Sequence, residues 1–308
     1  DRRLYEAALR AVDQMMRTLK SYPDGWINGH EGIEMALVHL YRYTGEQKYL
    51  DDAIWFVEQR DHVKLRLPIS HYKTFFTDEY CQNNVPVREL QRVTGHAVRA
   101  TYYYSGVADI ASITGERALV EALERVWNHL LSSNTYITGG IGQSSFNEGF
   151  SSDYSLPNLH AYCETCASVG MAFWNHRMNL IGGEAKYADV VETQIMNGIL
   201  SGLSLSGDHY FYENPLASTG VAHRREWFNV PCCPTNLVRF VPSIGVRQPV
   251  HRFPADHGAG RAAAHGDELS VGGRDPHSRG GLPGGHGAVG AQARLVRALD
   301  AVGQRRGV

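Results

Sequence analysis

Apolar residues recur at helical spacing through the first 134 residues of the chain. The series Leu4, Ala8 and Val12 places its members on one face of a helix, and Ile33, Leu37 and Tyr41 do the same further along. Spacings of three and four residues are typical of amphipathic helices that bury one stripe against a core. The pattern therefore predicts a helical fold over residues 1–134.

A short glycine motif recurs three times, and each copy is followed by an amphipathic segment. The copies are Thr44-Gly45-Glu46, Thr114-Gly115-Glu116 and Gly182-Gly183-Glu184. Glycine commonly ends one helix in a left-handed conformation before the next helix begins. Repeated helix–turn–helix units predict a toroid of helix pairs. A helical bundle with irregular loops is the alternative.

Two segments depart from this helical pattern. Residues Asn134–Leu159 form a polar stretch rich in Gly, Ser and Asn, and its aromatic residues favour an ordered loop. Loops of this length inside a compact domain are commonly functional. The segment His209–Tyr212 alternates like a short β-strand.

The composition changes abruptly near residue 246. Residues 246–308 are rich in Gly, Arg and His and contain no Lys, Ile, Trp, Tyr, Cys, Met or Asn. Such a segment is typical of a disordered tail, or of a frame-shifted translation of a GC-rich gene, which we favour. We therefore divide the chain into a helical domain, 1–245, and an irregular low-complexity tail, 246–308, to which we assign no function.

Charge and cysteine content exclude several classes of protein. A formal net charge of -2 and a pI of about 6.8 give no electrostatic basis for binding nucleic acid or anionic membranes. No apolar run approaches the roughly 18 residues that span a bilayer. Five cysteines in a chain of 308 residues do not make a disulfide framework and favour metal or thiol chemistry in a reducing compartment. We expect a cytoplasmic protein whose true N-terminus precedes Asp1, and leave its oligomeric state open.

The cysteines and two glutamates carry the candidate chemistry. Cys163-x-x-Cys166 encloses Glu164, and the adjacent pair Cys232-Cys233 follows later in the chain. Three thiolates and one carboxylate would complete a tetrahedral zinc site. A redox pair at Cys163 and Cys166, or buried cysteines with no role, are the alternatives. Glu148, in the loop sequence FNEGF, reads by itself as a solvated loop charge.

Several long motifs together resemble glycoside hydrolase family 127, the β-L-arabinofuranosidase family. In chain order they read GHEGIEMALVHLYRYTGEQKYL, VPVRELQRVTGHAVRATYYYSGVADIA, FNEGFSSDYSLPN, ETCASVGM and WFNVPCCPTNLVRF, and they cover about residues 1–245. The resemblance implies an all-α fold, an (α/α)6 barrel followed in the family by β-sandwich domains. It also implies a retaining glycosidase that releases L-arabinofuranose from a glycan or glycopeptide with a zinc-bound cysteine nucleophile.

The resemblance assigns roles to individual residues of this chain. Cys232 would be the nucleophile and Glu148 the general acid/base. Zn2+ would be held by Glu164, Cys166, Cys232 and Cys233. Contacts to sugar hydroxyls would come from His30, His96, Glu192 and Tyr212, although each histidine, read alone, is better explained by a structural role.

Four departures from the family pattern shape our expectations. Cys163 is an additional cysteine, and Thr235 stands where the family commonly has proline. We expect the barrel to be incomplete because its N-terminal helices precede the sequence and the tail replaces the β-sandwich domains. A zinc- or thiol-binding redox protein, and an inactive product of a disrupted gene, remain the competing hypotheses.

Overall fold

The computed structural model describes residues 2–26, 29–63 and 77–244. Within these ranges the chain forms eight α-helices, short 3₁₀ and π-helical turns and isolated β-bridges, and it contains no β-strand. The prediction of an all-α fold is therefore confirmed. The helices are α1 Arg2–Lys20, α2 Ile33–Thr44, α3 Gln47–Glu58, α4 Ala97–Thr114, α5 Arg117–Ser133, α6 Thr165–Gly182, α7 Ala185–Thr193 and α8 Cys232–Phe240.

The glycine motifs end three of these helices, as predicted. Gly45, Gly115 and Gly183 adopt φ angles of 73°, 73° and 70°, and each donates its backbone N–H to the last turn of the preceding helix. This left-handed conformation carries little penalty for glycine because it has no Cβ. Each glycine thereby turns the chain back, so that α2–α3, α4–α5 and α6–α7 form helical pairs.

The first helices of the three pairs pack side by side, with α4 between α2 and α6. In α4, 14 of its 18 residues are buried, and they lie on every face of the helix. Helix α5 instead buries one stripe that includes Leu119, Leu123 and Leu130. A helix buried all round belongs to an inner layer, and an amphipathic helix belongs to an outer layer. This layering is that of a helical toroid.

The polar loop is ordered by bridges to itself and to the start of α4. Its segments pair at Thr135 with Ile141 and at Ser144 with Gly149, and Gly149 also pairs with His96. The predicted strand at His209–Tyr212 does not form. Tyr210 makes only isolated bridges, because the neighbouring segments meet it at single residues rather than along a ladder.

Two further expectations concern the C-terminal tail and membrane-spanning helices. The tail 246–308, with its predicted irregular structure, lies outside the described residues. Among the residues that are described, no helix is both long and apolar enough to cross a membrane.

Candidate functional site

Three of the cysteines and one glutamate form a compact buried cluster. One ligand atom from each of Glu164, Cys166, Cys232 and Cys233 lies within 4.8 Å of all the others. Cys166 Sγ is 3.3 Å from Cys233 Sγ, and Glu164 Oε1 is 3.3 Å from Cys232 Sγ and 3.5 Å from Cys233 Sγ. The structure thus brings together the four residues that the sequence suggested for a metal.

Cys163 is not part of this cluster. Its Sγ packs against Gly140, in a separate buried group with Tyr136 and Ala161. The backbone of Cys163 has φ 41°, in the left-handed region. All five cysteines are free. The CxxC spacing therefore does not make a redox pair here.

The cluster forms where two helices begin. Glu164 is the N-cap residue of α6 and Cys166 lies in its first turn, while Cys232 and Cys233 are the first two residues of α8. The N-terminus of a helix carries partial positive charge and unpaired N–H groups, which favour anionic side chains and thiolates. Because α8 packs on α6, the two favourable ends meet at one point.

A metal ion fits this donor set. Glu164 and Cys233 are almost fully buried, and Glu164 Oε2 has no hydrogen-bond partner among the described residues. Burial raises the pKa of the Glu164 carboxyl, and hydrogen bonds, first from Cys166, lower that of Cys232. Four acidic groups this close cannot all ionise without a counter-charge, and a cation supplies it. Three sulfurs and one oxygen form a complete tetrahedral set of soft character.

Glu148 is fixed by the tight pairing of its loop with the start of α4. Its backbone has φ 50°, its carbonyl accepts from the N–H of Ala97 at 3.1 Å, and the N–H of Phe150 donates to the carbonyl of Gly95 at 2.9 Å. A Cβ on Gly149 would lie 1.8 Å from that same carbonyl oxygen. Only glycine permits this close approach, which explains the NEG sequence around the carboxylate.

Three side chains hold the Glu148 carboxylate. Tyr162 donates its hydroxyl to Oε1 at 2.8 Å, His96 Nε2 lies 3.0 Å from Oε2, and the Tyr80 hydroxyl is 3.4 Å from Oε2. The hydrogen bond from His96, followed by that from Tyr162, lowers the pKa of Glu148. Its carboxyl is therefore ionised at neutral pH in this structure.

The tautomer of His96 follows from its position as the N-cap of α4. Its Nδ1 accepts hydrogen bonds from the N–H groups of Val98, at 3.1 Å, and Arg99, at 3.3 Å. Burial lowers the pKa of His96, so the ring is neutral and its single proton lies on Nε2. His96 therefore donates to Glu148, and its structural and site roles coincide.

The cluster and Glu148 open into one pocket of about 660 Å³. Its lining includes most of the residues that the sequence suggested, together with Tyr80, Tyr102, Arg99 and Arg239. The suggested residues in the lining are His30, His96, Glu148, Glu164, Cys166, Tyr212 and Cys232. The Tyr212 hydroxyl lies 3.0 Å from Cys232 Sγ, and His30 Nδ1 lies 2.8 Å from the carbonyl of Glu31.

One suggested residue is brought neither to the cluster nor to this pocket. Glu192 lies near the end of α7 with its side chain exposed, and it is not among the lining residues. Conversely, sequence reasoning missed Tyr80, Tyr162 and Asn236. The available signal was position: Tyr162 precedes the CETC motif directly, and Asn236 follows the cysteine pair by one helical turn.

Together, this fold and site define a family of carbohydrate-active enzymes. The sequence profile of the β-L-arabinofuranosidase GH127 catalytic domain matches residues 1–246, and the chain belongs to glycoside hydrolase family 127. The family resemblance seen in the sequence is thereby confirmed.

Individual relatives agree with this assignment. A non-reducing end β-L-arabinofuranosidase of Bifidobacterium longum subsp. longum is 35% identical over 238 residues, which are 70% of this chain and 36% of that protein. A GH127 β-arabinofuranosidase structure is similar with a TM-score of 0.73 and 42% identity, over 79% of this chain and 37% of the other. The structure of a GH127 β-L-arabinofuranosidase from Geobacillus stearothermophilus T6 is similar with a TM-score of 0.65 and 38% identity, over 71% of this chain and 38% of the other. The chain thus spans little more than a third of the length of these relatives.

Proposed function

We propose that this chain carries the catalytic site of a retaining glycosidase that releases L-arabinofuranose from β-L-arabinofuranosides. The observation that carries the proposal is that Glu148 and the Cys232 cluster line the same pocket. A retaining glycosidase needs a nucleophile and an acid/base on either side of the anomeric carbon. The names of the relatives support the choice of sugar.

We further propose that the cluster holds zinc, because sulfur ligands select this metal over calcium or magnesium. When bound to Glu164, Cys166, Cys232 and Cys233, zinc would keep the thiols ionised at neutral pH. The remaining chemistry is carried out by side chains of the pocket.

The first half of the reaction forms a covalent intermediate. The Cys232 thiolate attacks the anomeric carbon, a carbon–sulfur bond forms, and the bond to the leaving oxygen breaks. Glu148 gives its proton to that oxygen. In the second half, water attacks the same carbon, Glu148 takes a proton from it, and the carbon–sulfur bond breaks to regenerate the thiolate.

Neighbouring groups prepare both side chains for these steps. The Tyr212 hydroxyl lies 3.0 Å from Cys232 Sγ, and once the thiol is ionised it would donate to the sulfur and stabilise its anionic form. The hydrogen bonds from His96 and Tyr162 favour the ionised Glu148, the form needed as a base in the second half. For the first half the carboxyl must be protonated when substrate binds, so these bonds also set the pH at which the cycle can start. His30 and Tyr212 line the pocket where hydroxyl groups of the sugar would lie.

The family match ends at residue 246, next to the change in composition. This agreement supports a catalytic domain at 1–245 and a separate tail at 246–308.

The alternative of a redox protein is less well supported. Cys163 packs against Gly140 and lies outside the cluster that contains Cys166.

Hydrolysis of a chromogenic aryl β-L-arabinofuranoside tests the function. Cys232→Ala and Glu148→Gln should each abolish release of the chromophore, and mass spectrometry of quenched wild-type enzyme should show one arabinosyl group on Cys232. Cys163→Ala is the matched control, because it removes a buried cysteine outside the cluster. Undiminished hydrolysis by both Cys232→Ala and Glu148→Gln would refute the proposal.

A further inference from the structure

Asn236 lies one helical turn beyond the cysteine pair and contacts the cluster from within α8. Its side chain is buried, with 6% of the residue exposed. The Asn236 Nδ2 donates to Cys166 Sγ, and the two atoms are 3.1 Å apart. An amide on one metal-binding helix therefore reaches a sulfur carried by the other.

Two donors fix the orientation of this amide. The Tyr102 hydroxyl donates to Asn236 Oδ1 at 3.1 Å, and Arg239 Nη2 donates to the same oxygen at 2.6 Å. A guanidinium group can only donate, so the atom facing Arg239 must be the amide oxygen. The NH₂ group is then left pointing at Cys166 Sγ. Because the network assigns the oxygen, the direction of the N–H···S contact does not depend on an arbitrary amide flip.

The excess negative charge of a metal-loaded cluster makes this hydrogen bond favourable. Three thiolates and a carboxylate are four anionic ligands, and one divalent cation balances only half of their charge. The excess negative charge is buried, where it is costly unless hydrogen-bond donors face it. Asn236 supplies such a donor to Cys166, and the Tyr212 hydroxyl, 3.0 Å from Cys232 Sγ, can donate to that sulfur in its ionised form.

We propose that Asn236 is a positioning residue of the metal centre, which fixes Cys166 as a permanent ligand by donating to its sulfur. This rests on the proposed function in so far as the cluster holds a metal. The two sulfurs differ in burial and in their neighbours. Cys166 is almost fully buried and faces an amide that is itself held by two donors, while Cys232 is half-buried and faces the Tyr212 hydroxyl. The anchored sulfur stays on the metal, and the more exposed sulfur is the one presented to substrate.

Binding of Co2+ to the 308-residue chain tests this role without measuring hydrolysis. Asn236→Asp keeps an oxygen acceptor for Tyr102 and Arg239 but replaces the N–H donor by a second anionic oxygen. Loss of such outer contacts typically lowers metal affinity about 10–100-fold. We expect a loss of this size in a chelator competition, together with a shift of the thiolate-to-cobalt absorption band. Thr235→Asp is the matched control, because it places a carboxylate at the exposed neighbouring position and keeps the amide.

A second variant guards against misfolding of the first. Tyr102→Phe removes one of the two groups that orient the amide, and it should shift the same absorption band with a smaller loss of affinity. Equal Co2+ affinity and an unchanged band in wild type, Asn236→Asp and Tyr102→Phe would overturn the role of Asn236 alone. Equal losses in Asn236→Asp and Thr235→Asp would overturn it as well, because added charge would then explain the effect. A wild-type chain that binds no Co2+ would refute the metal site itself, while hydrolysis would still be judged by its own assay.

Discussion

Tyr162→Phe should raise the pKa of Glu148 by removing its shortest hydrogen bond. The Tyr162 hydroxyl lies 2.8 Å from Glu148 Oε1, and burial raises the pKa of Tyr162, so the tyrosine remains a protonated donor. The bond stabilises the carboxylate and has no comparable effect on the neutral carboxyl. Its loss therefore favours protonation of Glu148.

The size of the effect follows from the exposure of the carboxylate. A hydrogen bond to a charged group contributes about 1.5–3 kcal/mol. One pKa unit corresponds to about 1.4 kcal/mol. The Glu148 side chain is 38% exposed, so water can replace part of the lost interaction, and we use the lower end of the range. The pKa of Glu148 should rise by about 1.

An NMR titration of chain labelled with 13C at the glutamate carboxyl measures this directly, with the Glu148 resonance assigned from Glu148→Gln. Tyr80→Phe is the matched control: its hydroxyl is 3.4 Å from the carboxylate, so its removal should produce a smaller rise. The same bond stabilises the fold above the usual glutamate pKa and ceases to do so as pH falls through the lower folded value. The destabilisation by Tyr162→Phe should thus diminish in acid. An unchanged or lowered pKa of Glu148 in Tyr162→Phe would refute this account of the site.

Two further predictions concern the packing that supports the pocket. Gly149→Ala should lower the free energy of unfolding by about 1–3 kcal/mol in urea, because the added Cβ meets the backbone of Gly95. Gly29→Ala is the control and should have little effect, because nothing lies within 4 Å of its Cβ position. Equal stability of the two variants would contradict the reasoning. Arg60→Met should lower the free energy of unfolding by about 3–5 kcal/mol in the same urea experiment. Arg60 forms ion pairs with Glu31 and Glu34 at 3.2 and 3.0 Å, and all three side chains are fully buried. Arg88→Met, which removes pairs that are more than a third exposed, should cost no more than about 1 kcal/mol, and a similar cost for both arginines would be evidence against the burial argument.

The helical pairs could be predicted because their signals are local. A glycine at a helix end and an apolar stripe beyond it depend only on backbone sterics and on period, so Gly45, Gly115 and Gly183 end their helices as expected. The prediction of a short strand at His209–Tyr212 was wrong, because a strand needs a partner along its length and a local pattern cannot supply one.

The candidate site was only partly accessible to sequence reasoning. The sequence motifs predicted that Glu164 and Cys166 lie beside Cys232 and Cys233, because thiols near helix N-termini form a recognisable pattern. The structure brings these four residues together. The spacing of Cys163 was misleading, because its sulfur packs against Gly140 in a separate buried group. Tyr162 and Asn236 leave no such pattern: each acts through one directional hydrogen bond to a residue distant in sequence, and that geometry exists only after folding.

The segment from Tyr162 to Cys166 shows how the site is braced. Tyr162 holds the Glu148 carboxylate, while Glu164 and Cys166 belong to the cluster, so five consecutive residues contact both the proposed acid/base and the cluster that contains the proposed nucleophile. The segment is itself fixed at both ends. The N–H of Cys163 donates to the carbonyl of Gly142, and Thr165 opens α6, whose first turn is fully buried. The relative positions of Glu148 and the cluster, on which the proposed double displacement depends, are therefore set by contacts within the helical domain.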